Sequence, residues 1–255
     1  MIQFDSRKLK VIENEQPLVS IIIATYNAAD VLKGAIDSVI ANAGENIELI
    51  IIDGGSIDDT ISILQQYNSN VTTWKSEPDD GIYDALNKGT RLATGKWLYF
   101  IGADDRILAG FKEMKKLLKN SDTLYYGNVL TDGPLFLGEF SKYRLSKYCI
   151  NHQTIFYPES VFKKYSYDTR YKVLADYALN IACWGDDTIK KKYYAVDISF
   201  YSTKGFSSKT VDELFNKEKL ILIKKYMGWF IYQRFLYKKK KEAGKLKSVF
   251  NIVNP

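Results

Sequence analysis

Three stretches of this chain are apolar almost without interruption: LVSIIIA at 18–24, IELIII at 47–52 and WLYFI at 97–101. Each is short and rich in β-branched or aromatic residues, so each reads as a strand covered on both faces. The segments after the first two have helical spacing. Asp30 precedes VLKGAIDSVI, apolar at 31/32, 35/36 and 39/40, and is the expected N-cap of that helix. Asp58 or Asp59 is expected to cap TISILQQY. A further strand falls on VTTWK (71–75), then a turn at Pro78-Asp79-Asp80-Gly81 and a helical pattern through Ala93. Strands alternating with helices across short connections predict an α/β fold with a Rossmann-like, mostly parallel central sheet flanked by helices. Ligands of such sheets bind beyond the carboxyl ends of the strands.

Past residue 110 the pattern is less regular. The spacing predicts helices over 111–119, 159–164 and 172–185 and strands over 123–130 and 193–202. At 255 residues and 46% hydrophobic, the chain has enough length and apolar content for one large domain with an appendage. Cys149 and Cys183 form neither a disulfide framework nor a metal-binding spacing, and imply a reducing compartment. The opening MIQFDSRKLKVIENEQP lacks a secretory apolar core, and no run is long enough to span a bilayer, so the expected location is cytoplasmic. Charge is unevenly spread: residues 214–247 hold 11 Lys/Arg against 2 Asp/Glu, leaving 25 against 28 elsewhere.

The candidate functional residues sit at the strand ends. Thr25, Tyr26 and Asn27 come after the first strand, Asp53 with Gly54-Gly55-Ser56 after the second, and Gly102, Ala103, Asp104 and Asp105 after the strand at 97–101. Asp53 is either a turn former or an acceptor for a ligand donor beside a glycine turn. Asp104 and Asp105 are either a solvated turn or, since hard divalent cations take oxygen ligands, a site for Mg²⁺ or Mn²⁺ shared with phosphates.

The strings PLVSIIIATYNAADVLKGAIDSV, ELIIIDGGSIDDT and SEPDDGIYDALNKGTRLATGKWLYFIGADD, in this order and spacing, resemble the family 2 glycosyltransferases of GT-A fold, of the bacterial cell-surface polysaccharide type. NHQTIFY and LADY add later support. The resemblance implies a nucleotide-sugar-binding half over 17–110, an acceptor-binding half over 111–205 and a C-terminal helical extension over 206–255. It implies a nucleoside diphosphate sugar donor, most often uridine-linked. Thr25, Tyr26, Asn27, Asp53, Gly54 and Ser56 match donor-binding positions, as do Asp80, Asn87, Lys88, Gly102 and Ala103. Asn87 and Lys88 equally suit ordinary polar positions on a helix. Asp104 matches the acid that meets the metal bridging the diphosphate, with Asp105 and His152 as further candidate ligands. The family's motif is often Asp-Ala-Asp-Asp; here the string is Gly-Ala-Asp-Asp, so the first acid is missing.

The chemistry implied is displacement at an anomeric carbon, in which the acceptor hydroxyl needs a general base. Asp176, in LADY, matches the family's acid and is the candidate, implying inversion by a metal-dependent hexosyl- or N-acetylhexosaminyl-transferase. The segment LFNKEKLILIKKYMGWFIYQRFLYKKKK (214–241) is either a helix packed on the domain or a basic amphipathic helix on anionic lipid. The second reading suits a saccharide acceptor on a membrane lipid and an enzyme peripheral on the inner face of the membrane. No nucleic-acid recognition motif is present. Two readings compete: a sugar-nucleotide pyrophosphorylase, which needs a glycine-rich basic loop where ATYNAAD stands, and a non-catalytic, nucleotide-binding membrane-associated protein.

Overall fold

The structure, a computed structural model, describes residues 1–6, 16–133, 138–203 and 210–253, with side chains as far as 242. The elements in chain order are β1 (Ile2–Asp5), β2 (Val19–Thr25), α1 (Ala29–Asn42), β3 (Ile47–Asp53), α2 (Thr60–Gln66), β4 (Thr73–Ser76), α3 (Ile82–Leu92) and β5 (Trp97–Gly102). Then come β6 (Arg106–Ile107), α4 (Gly110–Leu117), β7 (Thr123–Thr131), α5 (Lys142–Lys147), β8 (Ile155–Pro158), α6 (Glu159–Lys164), α7 (Ala175–Gly185), β9 (Lys190–Tyr201), α8 (Glu213–Leu222) and α9 (Trp229–Val253).

One sheet runs through the described residues in the order β1-β4-β3-β2-β5-β8-β7-β9-β6. Its core, β4-β3-β2-β5, is parallel as the alternation predicts. The flanks are not: β1 lies antiparallel on β4, β8 antiparallel between β5 and β7, and β6 antiparallel on β9. The sequence pattern misses β1, β6 and β8 because each is four residues or fewer, too short for periodicity to register.

Side chains alternate across the sheet and build a core on each face. Ile22, Ala24, Ile50, Ile52, Leu98 and Phe100 join one cluster with residues of α3 and α7. Ile21, Ile23, Leu49, Ile51, Tyr99 and Ile101 join the other with residues of α1 and α4. Burial on both faces explains the unbroken apolar runs.

Chain direction matters most at β2. From β2 the chain steps to β3 and β4 on one side, then crosses to β5 on the other. Thr25 pairs with Asp53, and Ala24 with Gly102, so the ends of β2, β3 and β5 emerge side by side. A crevice at such a reversal of strand order is where open α/β sheets bind ligands.

The expected cap at Asp30 is corrected. Ala28 holds the N-cap position of α1 and Asp30 lies in its first turn. The Ala29 amide instead donates to Asp58 Oδ2 (3.1 Å) and the Ala28 amide to Thr60 Oγ1 (3.0 Å), so the loop after β3 caps the helix after β2. At the C-terminus, α8 passes through a π-helical turn (Ile223–Met227) and Gly228, at φ +85°, into α9. Phe215, Ile223 and Met227 are buried, and Ile231, Tyr232 and Phe235 lean on the same core cluster, so the extension packs on the domain by one face. Of the expected 206–255 unit, 206–209, 254 and 255 lie outside the described residues.

At the opposite end of the sheet from the crevice, the buried Glu48 carboxylate accepts from Ser20 Oγ (2.6 Å), Thr94 N (2.5 Å), Thr94 Oγ1 (3.0 Å) and Gly95 N (3.2 Å). It closes the connection that returns the chain from α3 into β5. Glu48→Ala removes the acceptor shared by the buried Ser20 hydroxyl and the 94–95 turn, and is expected to lower the unfolding free energy by about 2 kcal/mol in urea denaturation.

Candidate active site

The carboxylates at the strand ends divide into those spent on the fold and those left open. Asp53 is fully buried. Its Oδ2 accepts from Gly55 N (3.0 Å), Ser56 N (2.9 Å) and Ser76 Oγ (2.6 Å), and its Oδ1 from Ser56 Oγ (2.5 Å). Four donors shape the glycine turn, three of them on Oδ2 and one on Oδ1. Asn27, at φ +45°, is likewise committed: its amide donates to Ser56 Oγ (2.7 Å) and its Oδ1 accepts from Ile57 N (2.9 Å).

Asp105 is 1% exposed. Its Oδ2 accepts from Gly102 N (3.0 Å) and Gln153 Nε2 (2.8 Å), and its Oδ1 from Ser202 N (3.0 Å). It knots the end of β5 to the segment before β8 and the end of β9. A Cβ on Gly102 would come within 2.8 Å of Asp105 Oδ2 and 3.0 Å of Asp104 Oδ1, so the glycine that replaces the family's first acid makes room for both carboxylates.

Asp104 is the opposite case. It is half-buried, and among the described residues no other residue donates a hydrogen bond to its carboxylate. Burial, and then the Asp105 charge behind it, raise its pKa. A carboxylate desolvated in this way, beside a second one, is a site that a cation would stabilise, and the donor set fits a hard divalent ion. No group of three or more His, Cys, Asp or Glu gathers as a metal cluster among the described residues, so water and ligand oxygens would complete the shell.

Across the crevice, Thr25 Oγ1 is buried with no partner among the described residues, and Tyr26 stands out from the end of β2 as an exposed aromatic. A buried hydroxyl without a partner is a place for a ligand's polar edge, and an exposed ring one for a flat heterocycle. Gly54 keeps the floor low; a Cβ there would meet Asp79 Oδ2 at 2.7 Å.

Asp79 is the acid that faces this crevice. The family resemblance points to Asp80, which is exposed and offers only backbone contacts, its amide to Asp84 Oδ2 (3.3 Å) and its carbonyl to Lys172 Nζ (3.4 Å). Asp79 Oδ1 accepts from Gly81 N (2.9 Å), an Asx turn into the positive-φ Gly81, and burial raises its pKa. The signal is present in PDDG, since only the first Asp stands two residues before the glycine.

Asn87 grips the backbone of Tyr167 through both amide atoms (2.9 and 3.0 Å). Lys88 Nζ donates to the Pro78 carbonyl (2.9 Å) and pairs with Asp84 (3.1 Å) and Glu77 (3.5 Å), and so holds the turn that carries Asp79. Ala103 is buried between the two ends of the loop.

Asp176 lies in the first turn of α7, buried, with its carboxylate held from three sides. Oδ1 receives Tyr177 N (2.8 Å) and lies 2.9 Å from Tyr83 Oη, whose one proton is shared with the Val173 carbonyl (2.5 Å), and Oδ2 lies 3.1 Å from His152 Nδ1. Burial and the Asp176 charge push the Tyr83 phenol well above its usual range, so it remains a donor. His152 Nδ1 is engaged by Asp176, and its Nε2 carries no hydrogen bond among the described residues. Tyr83, 93 residues from its partner, is a member of this group that sequence spacing has no means of revealing.

The family model described as glycosyl transferase family 2 matches residues 20–180. A PGL/p-HBAD biosynthesis glycosyltransferase of Mycobacterium bovis (strain BCG / Pasteur 1173P2) is 38% identical over 207 residues, covering 76% of this chain and 80% of that protein. An uncharacterized glycosyltransferase of Mycobacterium tuberculosis (strain ATCC 25618 / H37Rv) is 32% identical over 174 residues, covering 63% of this chain and 66% of that one. Among solved structures, S. aureus TarS 1-349 in complex with UDP superposes with TM-score 0.66 at 15% identity, over 81% of this chain and 64% of that one. The mannosyltransferase PcManGT from Pyrobaculum calidifontis, in complex with GDP-Man and Mn2+, gives 0.56 at 16%, over 73% and 57%. At these identities the two structures speak for the fold.

The raised pKa of Asp104 has a stability consequence with a definite sign. The folded state binds this proton more tightly than the unfolded chain does. Asp104 therefore favours folding below the unfolded-state pKa, and that contribution is lost as pH rises through the raised folded value. Without divalent cations, Asp104→Asn is expected to melt above the wild type at pH 7, the gap closing toward about pH 4. Asp105→Asn, which weakens three bonds, is expected to melt below the wild type. Differential scanning fluorimetry across pH reads both.

Proposed function

This chain belongs to glycosyl transferase family 2, and from that premise we propose that it moves one hexosyl or N-acetylhexosaminyl unit from a uridine diphosphate sugar to a saccharide hydroxyl, with inversion at the anomeric carbon. The observation that carries the reading is Asp104, a half-buried carboxylate without a donor among the described residues, at the end of β5 where the strand order reverses. The nucleotide lies across the ends of β2 and β5. Its base stacks on Tyr26 and offers a polar edge to Thr25 Oγ1, while Gly54 and Gly55 let the ligand approach the backbone and Asp79 borders the ribose side. A divalent cation, Mn²⁺ or Mg²⁺, held by Asp104 supplies neutralisation of the diphosphate charge when bound.

Asp176 is the base. With Oδ1 fixed by Tyr83 and the Tyr177 amide, and His152 on one side of Oδ2, the remaining lone pair of Oδ2 accepts the proton of the acceptor hydroxyl. The acceptor oxygen bonds to the anomeric carbon as the carbon–oxygen bond to the diphosphate breaks, and the nucleoside diphosphate leaves with the electron pair. The acceptor is a lipid-linked saccharide in cell-surface polysaccharide assembly. That part draws support from the relative named for PGL/p-HBAD biosynthesis and from the basic aromatic face of the C-terminal extension.

Calorimetry with UDP, GDP and ADP, with and without Mn²⁺, tests the donor: UDP is expected to bind, more tightly with Mn²⁺, and no nucleotide binding under either condition would overturn the reading. Asp176→Asn is expected to retain UDP binding while the transfer rate falls by about a thousandfold. An Asp176→Asn enzyme of undiminished rate would remove Asp176 from the base role.

A further inference from the structure

The C-terminal extension turns one face to the core and presents another to solvent. From Ile221 to Lys241 the chain carries seven Lys/Arg and no Asp or Glu. Within α9, Ile231, Tyr232 and Phe235 pack inward. On the outward side, Phe230, Arg234, Tyr237 and Lys241 succeed one another at helical spacing, with Trp229 at the start. Trp229 is 58% exposed, Phe230 81% and Tyr237 70%. The Trp229 and Phe230 rings meet edge to face (5.3 Å) directly after Gly228, whose positive φ makes the bend from α8. Before the bend, exposed Lys224 and Lys225 and the 64% exposed Ile221 continue the same composition.

Large exposed aromatics at a helix start, framed by cations with no acid among them, have one chemical complement: a surface that is apolar a few ångströms down and negatively charged on top. No helix among the described residues is long and apolar enough to cross a membrane, so the element would lie in the interface rather than span it. We propose that the bend at Gly228 and the outer face of α9 dock this protein on an anionic lipid bilayer. Trp229 and Phe230 insert at headgroup level, and Lys224, Lys225, Lys240 and Lys241 meet the lipid phosphates. An inner leaflet rich in acidic lipid is the matching surface, and this fixes the protein peripherally on the cytoplasmic face of the membrane. The proposal rests on the extension alone and does not depend on the donor assignment.

The tryptophans make the test specific. Trp74, Trp97 and Trp184 are each 2% exposed, so Trp229 is the one tryptophan of the four within reach of lipid. The full chain is titrated with vesicles of phosphatidylcholine alone and with phosphatidylglycerol added, part of the lipid brominated on its acyl chains. Quenching of tryptophan emission by the anionic vesicles, and little by the neutral ones, is expected. Trp229→Ser/Phe230→Ser should abolish sedimentation with vesicles while the melting temperature is unchanged. Replacing Lys240 and Lys241 with Gln should weaken partition by about tenfold or more. Absence of binding by the wild type, or equal partition of the aromatic double variant, overturns the proposal. So does a dimer in the lipid-free wild type that the double variant abolishes, since the face would then bind a second copy. Anionic vesicle binding competed away completely by a short RNA at equal charge, with no bromolipid quenching, would overturn it in favour of a polyanion site.

Discussion

The buried carboxylate of Asp105 ties together three pieces of chain that are far apart in sequence: the end of β5, Gln153 ahead of β8, and Ser202 at the end of β9. A fully desolvated carboxylate is tolerated only because every approach to it is a donor. That knot fixes the loop from which Asp104 projects. It also joins the parallel half of the sheet to the mixed half, and so places the crevice next to the segment that bears His152 and, through it, Asp176. Two adjacent aspartates thus do opposite jobs. One is saturated so that the other is held, half-buried and without a donor among the described residues, where a cation is favoured.

The same economy recurs at the end of β3. Asp53 looks like a ligand acceptor, yet its four donors are spent shaping the Gly54-Gly55-Ser56 turn, and the crevice is bordered by Asp79 instead. Lys88 acts one step further back, holding the turn from which Asp79 reaches in. A group whose acceptors are all engaged inside the protein has little left to offer a substrate. By that criterion, among the described residues, Thr25 Oγ1 and the carboxylate of Asp104 are open positions at these strand ends.

The parallel core is legible in the sequence because burial on both faces imposes unbroken apolar runs, and LVSIIIA, IELIII and WLYFI have no other economical reading. The crevice is legible for the same reason, since it lies where those runs stop. The pairing between strand ends is not. Whether an aspartate meets a solvent-facing ligand or a ring of amides depends on contacts such as Gln153 with Asp105 or Tyr83 with Asp176, and local spacing carries no trace of them. The short strands β1, β6 and β8 escape because so few residues do not establish a period. The amphipathic extension is legible in outline, but only the packing of Ile231, Tyr232 and Phe235 tells its inner face from its outer one.

The central claim is that Asp104, and not its buried neighbour, is the protein's open charge at the donor crevice. Crystals soaked with UDP and Mn²⁺ and measured at the manganese absorption edge test it directly. One anomalous peak is expected within coordination distance of an Asp104 carboxylate oxygen and of the diphosphate, with Asp105 still bonded to Gly102, Gln153 and Ser202. A peak bound by Asp105 in place of Asp104, or bound UDP with manganese elsewhere in the molecule, would contradict it.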